Sequence, residues 1–148
     1  MSILTPKASI GFLAGDVARL LRRAFEHELE AAALPLTVAQ ARALAYVVAY
    51  AGSRQAVIAE RMGVEPMTLV SFLDQLEKAG MVERRPHPQD RRAKAVHPTA
   101  AAGPMLARLE EVAARIRARA VAGLSPGEVA TVLRGLDAIR ANLADGCE

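Results

Sequence analysis

The sequence predicts a mainly helical fold with one small β-hairpin, and three observations predict it. Apolar residues recur at three- and four-residue steps through most of the chain, which is the period of a helix with one buried face. That period gives way once, between about Met81 and His97, to short runs of strand character. The breaks between periodic stretches fall at glycine or proline. At 148 residues the chain has the size of one domain, or of a unit that shares its core with a partner chain.

The first helix is predicted over Ser9 to Ala33, where Ile10, Leu13, Val17, Leu20, Leu21, Ala24, Phe25, Leu29 and Ala32 share a face; it ends before Leu34-Pro35. Thr37 opens the second. With Gln40 three residues on it forms a capping box, each side chain satisfying the other's backbone N–H, and the helix runs to about Tyr50 and Gly52. A short third helix spans about Arg54 to Met62, with Ile58, Ala59 and Met62 inward and Gly63 as its left-handed cap. Pro66 starts the fourth, at the position where a missing N–H costs nothing. Leu69, Phe72, Leu73 and Leu76 form its buried stripe, Met67, Thr68, Ser71, Gln75 and Lys78 face outward, and Gly80 ends it.

The hairpin follows, with strands expected over Met81 to Arg85 and Arg92 to His97 and a turn from Pro86 to Arg91. Thr99 is expected to cap a long fifth helix whose stripe is Met105, Leu106, Leu109, Val112, Ala113, Ile116 and Ala120. Ser125 and Glu128 make a second capping box, opening a last helix through Val129, Val132, Leu133, Leu136, Ile139 and Leu143. The tail Asp145 to Glu148 is expected to fray.

Composition excludes several classes. The chain is 52% hydrophobic with a net charge of +3, far from a disordered composition. Its longest apolar run, Ala43 to Ala51, is too short for a bilayer, which needs about 18 residues, and the N-terminus does not read as a signal peptide, so no membrane partner is expected. Cys147 is the one cysteine, and it has no His or Cys neighbour at metal-ligand spacing. The expectation is a reduced, cytoplasmic protein with no metal or cofactor. No Gly-rich phosphate loop, nucleophile elbow or His-x-x-x-His is present, so an enzyme is not expected.

Charge is concentrated. From Lys78 to Lys94 there are six basic residues, Lys78, Arg84, Arg85, Arg91, Arg92 and Lys94, against Glu83 and Asp90. The excess of four is greater than that of the whole chain. Two short helices joined at a glycine, the second polar outside and followed by a basic hairpin, describe a winged helix-turn-helix between long N- and C-terminal helices. A helix fits the major groove of duplex DNA, and an arginine-tipped hairpin reaches the minor groove beside it.

Three segments carry a resemblance: Ile58-Ala59-Glu60-Arg61-Met62-Gly63-Val64, then Leu73 to Arg84, then Pro88-Gln89-Asp90-Arg91-Arg92-Ala93-Lys94 with an Asp-x-Arg pair at Asp90 and Arg92. In this order, with long helices on both sides, the chain resembles the MarR family of bacterial transcriptional regulators over nearly its whole length. The resemblance implies a homodimer with interleaved terminal helices, residues 1–36 and 99–148 forming the dimerisation region and 37–98 the DNA-binding region of one intertwined domain. It implies two recognition helices on a pseudo-palindromic operator, and often release by a small aromatic or phenolic effector, as expected of a repressor.

Carried over by position, Arg92 is the minor-groove arginine, Arg91 its neighbour on the backbone, and Asp90 the acidic residue that holds the wing arginines by an ion pair. Pro66, Met67, Thr68, Val70 and Ser71 face the groove. Arg54, Gln55, Gln75, Arg84, Arg85 and Lys94 complete the expected DNA-binding set. His27, Arg42, Tyr46 and Tyr50 lie where the family's effector cavity is usually lined. The sequence departs from the family at Met67, often Ser, and at Ser71, which has Arg at or next to it in many relatives. A missing Arg removes a bidentate guanine reader worth about 1–3 kcal/mol of discrimination. Gly103 also comes four residues after Thr99, where the family usually has three. Some relatives sense oxidants through a cysteine near the start of the first helix, a place Cys147 does not occupy.

The dimer is also expected from the stripes themselves, because the winged helix is a complete small core without the terminal helices, which then need a second copy to bury against. The alternatives are a winged helix that docks protein and a DNA-binding protein that answers to no effector.

Overall fold

Nine elements follow one another in the computed structural model, which describes residues 9–145. They are α1 (Ile10–Ala31), α2 (Val38–Ala49), α3 (Gln55–Met62), α4 (Pro66–Lys78), β1 (Val82–His87), β2 (Asp90–Pro98), a 3-10 turn (Ala100–Ala102), α5 (Gly103–Ala120) and α6 (Pro126–Asp145). Cys147, and the tail beyond Asp145 that was expected to fray, lie outside the described residues. Two compact units divide the chain within α5, one running to Ala114 and the other beginning at Arg115.

Local chemistry sets the helix ends of the first unit. Thr37 Oγ1 accepts from the Gln40 N–H at 3.2 Å and Gln40 Oε1 accepts from the Thr37 N–H at 2.8 Å, the capping box that starts α2. Gly63 closes α3 with φ of 66°, a left-handed conformation that costs a glycine little. Pro66 begins α4 at its first turn.

The core gathers one face from each of these elements. Leu44, Val47, Ile58, Leu69, Leu73, Leu76, Val82 and Val96 are each no more than 2% exposed. They come from α2, α3, α4 and both strands, so α4 is clamped between the two preceding helices and β1. Such close packing fixes the direction of the outer face of α4.

The hairpin is longer than the sequence implies. Its turn is only Pro88-Gln89, and Pro86, His87, Asp90 and Arg91 belong to strands. Register is regular from Val82↔Pro98 to Pro86↔Lys94, then breaks, and His87 pairs with Asp90. Arg91, Arg92 and Ala93 therefore bulge from the ladder beyond Pro86, whose nitrogen has no hydrogen to donate. The α2–α3 turn joins the sheet, a contact that the sequence analysis missed. The Gly52 N–H donates to the Val96 carbonyl at 2.8 Å, the Val96 N–H donates to the Ser53 carbonyl at 3.1 Å, and Arg54 bridges Ala95. Gly52 has φ of 83°, and a Cβ there would come within 3.3 Å of the His97 ring.

Thr99 does not cap α5 with its side chain. Its hydroxyl donates to the Gly80 carbonyl at 2.5 Å, tying the end of β2 to the end of α4. A 3-10 turn then leads into α5 at Gly103, which absorbs the extra residue between Thr99 and the glycine.

In the second unit, the Ser125 N–H donates to Glu128 Oε2 at 2.7 Å and Ser125 Oγ accepts from the Glu128 N–H at 3.2 Å, the expected second capping box. These hydrogen bonds, the one from the Ser125 backbone foremost, hold the exposed Glu128 carboxyl below its ordinary range. Val132, Leu133, Leu136 and Leu143 of α6 are all exposed. Among the described residues no helix is long and apolar enough to cross a membrane, and no three His, Cys, Asp or Glu side chains are grouped to hold a metal.

Candidate nucleic-acid interface

With Leu69, Leu73 and Leu76 buried, the opposite side of α4 presents Met67, Ser71, Asp74 and Lys78 along one stripe, flanked by Thr68 and Gln75. Val70 is half-buried at its edge. Met67 is 76% exposed. Thr68 and Ser71 are exposed too, so three of the side chains expected to face a groove stand clear of the core.

Two members of the expected set, Gln75 and Arg84, are held by partners from other elements. Gln75 Oε1 accepts from the Gln40 side-chain amide, which ties the outer face of α4 to α2. Arg84 is only 18% exposed, and its guanidinium donates to Asp74 Oδ1 at 2.5 Å and to the Val70 carbonyl at 3.3 Å, with Glu77 3.8 Å away. Its backbone N–H also donates to Glu77 Oε1, at 3.2 Å. Placed with the DNA-contacting residues by its sequence, Arg84 is instead a strut between β1 and α4. The reason is topological: β1 runs back along α4, and an arginine beside two carboxylates and a helix carbonyl that can accept a second bond turns toward them. It also neutralises Asp74, the acidic group on the stripe.

On the wing, Arg85 pairs with Glu83, two residues back on the same strand face. Arg91, Arg92 and Lys94 are exposed, and none of these three side chains makes a hydrogen bond or ion pair among the described residues. Asp90 positions the wing differently from the expected ion pair. Its Oδ1 accepts from the Arg92 backbone N–H at 3.0 Å, fixing the bulged chain and leaving the arginine side chains outward. Arg54 is exposed at the start of α3; Gln55 is half-buried, with Oε1 sheltered and unpartnered.

Three of the four effector candidates are brought together and His27 is not. Arg42, Tyr46 and Tyr50 form a ladder on α2, with Arg42 5.4 Å over the Tyr46 ring and the two rings 6.0 Å apart. Arg61, which the sequence analysis did not single out, closes the ladder 4.4 Å over Tyr50. Arg42 also donates to the Met62 carbonyl at 2.8 Å. His27 is exposed on α1 and takes no part. An open cleft of about 360 Å³ lies instead between the α2–α3 turn and the wing, lined by Gly52, Ser53, Arg54, Val57, His87 and Gln89 among others. None of the four candidates lines it.

A buttressed helix with a free outer face, next to an arginine hairpin braced by the same core, defines a DNA-binding transcription regulator of the winged helix-turn-helix class. The family model of MarR matches residues 36–94, the segment from the start of α2 to the wing. Solved structures extend the likeness beyond it. CouR bound to a 23-mer DNA duplex, a transcriptional repressor, is 26% identical with a TM-score of 0.79 over 95% of this chain and 98% of that one. CouR from Rhodococcus jostii RHA1 bound to p-coumaroyl-CoA is 25% identical, TM-score 0.78, over 92% and 94%. Wild-type MarR from E. coli in its apo form is 25% identical, TM-score 0.75, over 88% and 96%.

Proposed function

We propose that the chain is a repressor that binds a pseudo-palindromic operator as a homodimer and is released by a small aromatic ligand. One observation carries the DNA contact: Met67, Thr68 and Ser71 stand outward on a buttressed helix, and the unpaired Arg91 and Arg92 stand outward on the neighbouring wing. On this reading Pro66, Met67, Thr68, Val70 and Ser71 enter the major groove, Arg92 enters the minor groove, and Arg54, Gln55, Arg85, Arg91 and Lys94 contact the backbone. Asp90 positions Arg92. Arg84 and Gln75 hold α4 in place.

The apolar faces of α1 and α6 support the homodimer, and burying them requires a large apolar surface of matching pattern, which a second copy supplies. The ligand reading is supported by the similar CouR, solved once bound to a DNA duplex and once bound to p-coumaroyl-CoA, an aromatic thioester.

Fluorescence anisotropy of the full chain on duplex DNA across a salt series tests the reading. Affinity should fall steeply with salt, and Arg92→Ala should reduce the slope of log K against log salt by about 0.9, one phosphate's counterion release. A flat salt response in the wild type would refute DNA binding. Aromatic acids and their coenzyme A thioesters, added to the formed complex, should release it if the ligand reading holds; no release across the series removes that part.

A further inference from the structure

We infer that the first turn of α4 reads thymine, through apolar contact of the Met67 side chain with the 5-methyl group, so that the operator is specified there by A·T pairs. The inference rests on the DNA-binding reading above and names the chemistry of the half-site.

Three observations point the same way. Met67 is the most exposed of the large apolar side chains described, at 76%, and it opens the outward stripe of α4. Apart from Val48 on α2, the other exposed large apolar residues of the helices form long stripes on α1 and α6; Met67 stands with Thr68 and Ser71, two small hydroxyl side chains. An isolated thioether between hydroxyls matches a base edge that offers one methyl among polar atoms.

The second observation removes the usual competitor. Reading guanine takes a guanidinium or ammonium aimed at O6 and N7. The outward face of α4 has no arginine, and Lys78 lies three turns from Met67, at the far end of the helix. Arg84, the nearest arginine by topology, is latched to Asp74, Glu77 and the Val70 carbonyl. Gln75, which could otherwise pair with adenine, is engaged by Gln40.

Geometry supplies the third. Pro66 sits at the first turn and the buried stripe of Leu69, Leu73 and Leu76 fixes the roll of the helix, so Met67 projects from a rigid base. Its own unbranched side chain adapts to the methyl it meets. Among the bases, thymine alone offers a methyl in the major groove.

Selection from a randomised duplex library with the full chain gives the operator, and replacing each thymine by uracil deletes only the 5-methyl group. At one position per half-site this change should weaken binding about three- to five-fold, the value of burying one methyl. In Met67→Ala the same replacement should have no effect, while thermal unfolding stays as in the wild type because the side chain is exposed. If selective binding survives every uracil replacement, or Met67→Ala still distinguishes thymine from uracil, the inference fails and the DNA-binding reading stands. If no duplex is bound at low salt, the reading beneath it fails.

Discussion

The winged-helix core and the outer helices α1 and α6 draw on the same apolar residues and treat them in opposite ways. Between residues 37 and 98, Leu44, Ile58, Leu69 and Leu73 are fully buried. On α1, Ile10, Leu13, Val17 and Leu20 are each about half exposed, and on α6 so are Val132 and Leu136, with Leu133 at 62%. In the core, every stripe meets the stripe of another element of the same chain. On the outer helices the stripe sets the helix, yet these stripe residues stay half exposed. An apolar pattern thus determines which face of a helix seeks burial and leaves open what will supply it.

Four measurements break or sharpen that contrast. The largest effect is expected from Leu133→Asp with Leu136→Asp. Carboxylates placed in a contact between copies should convert the dimer to monomer or aggregate in sedimentation and abolish operator binding; an intact dimer would show that α6 is not part of the contact. Next comes Leu44→Ala, which should cost about 2–5 kcal/mol of stability whatever the protein concentration. Leu136→Ala should instead lower Tm more as the protein is diluted, because in the proposed dimer its partner is another molecule. Concentration-independent losses at both sites would erase the distinction.

A smaller change is expected from Arg84→Met, which bares Asp74 and Glu77 beside the phosphates. Duplex affinity should fall about ten-fold, while the salt slope changes less than in Arg92→Ala, since Arg84 is held to Asp74, Glu77 and the Val70 carbonyl. A slope lowered as much as in Arg92→Ala would return Arg84 to the contact set. The smallest effect belongs to Glu128. Its folded-state pKa lies below the ordinary 4.5, so the cap it forms is fully present above that value and is lost as pH falls through the lowered one. Glu128→Gln should therefore narrow the difference in Tm from the wild type between pH 6 and pH 3; a difference independent of pH would show that the carboxylate does not stabilise α6.

What the sequence determined by itself is short-range. Thr37 with Gln40, Ser125 with Glu128, Gly63 and Pro66 act on backbone groups within four residues, so their chemistry could be read without knowing the fold. The helical stripes and the outward placement of Met67, Thr68 and Ser71 were legible for the same reason, since a period fixes a face. Other features depend on groups far apart in the chain. Arg84 reads as one more basic residue of the wing until β1 is laid along α4 and brings Asp74 and Glu77 to it. Asp90 and Arg92 are only two residues apart, yet they suggest an ion pair until strand pairing bulges the chain and presents a backbone N–H instead. Thr99 reads as a cap until the Gly80 carbonyl arrives, and Gly52 shows no sign of its bond to Val96. A side chain takes the strongest partner within reach, and reach across 7 to 44 residues of chain is decided only when the elements pack.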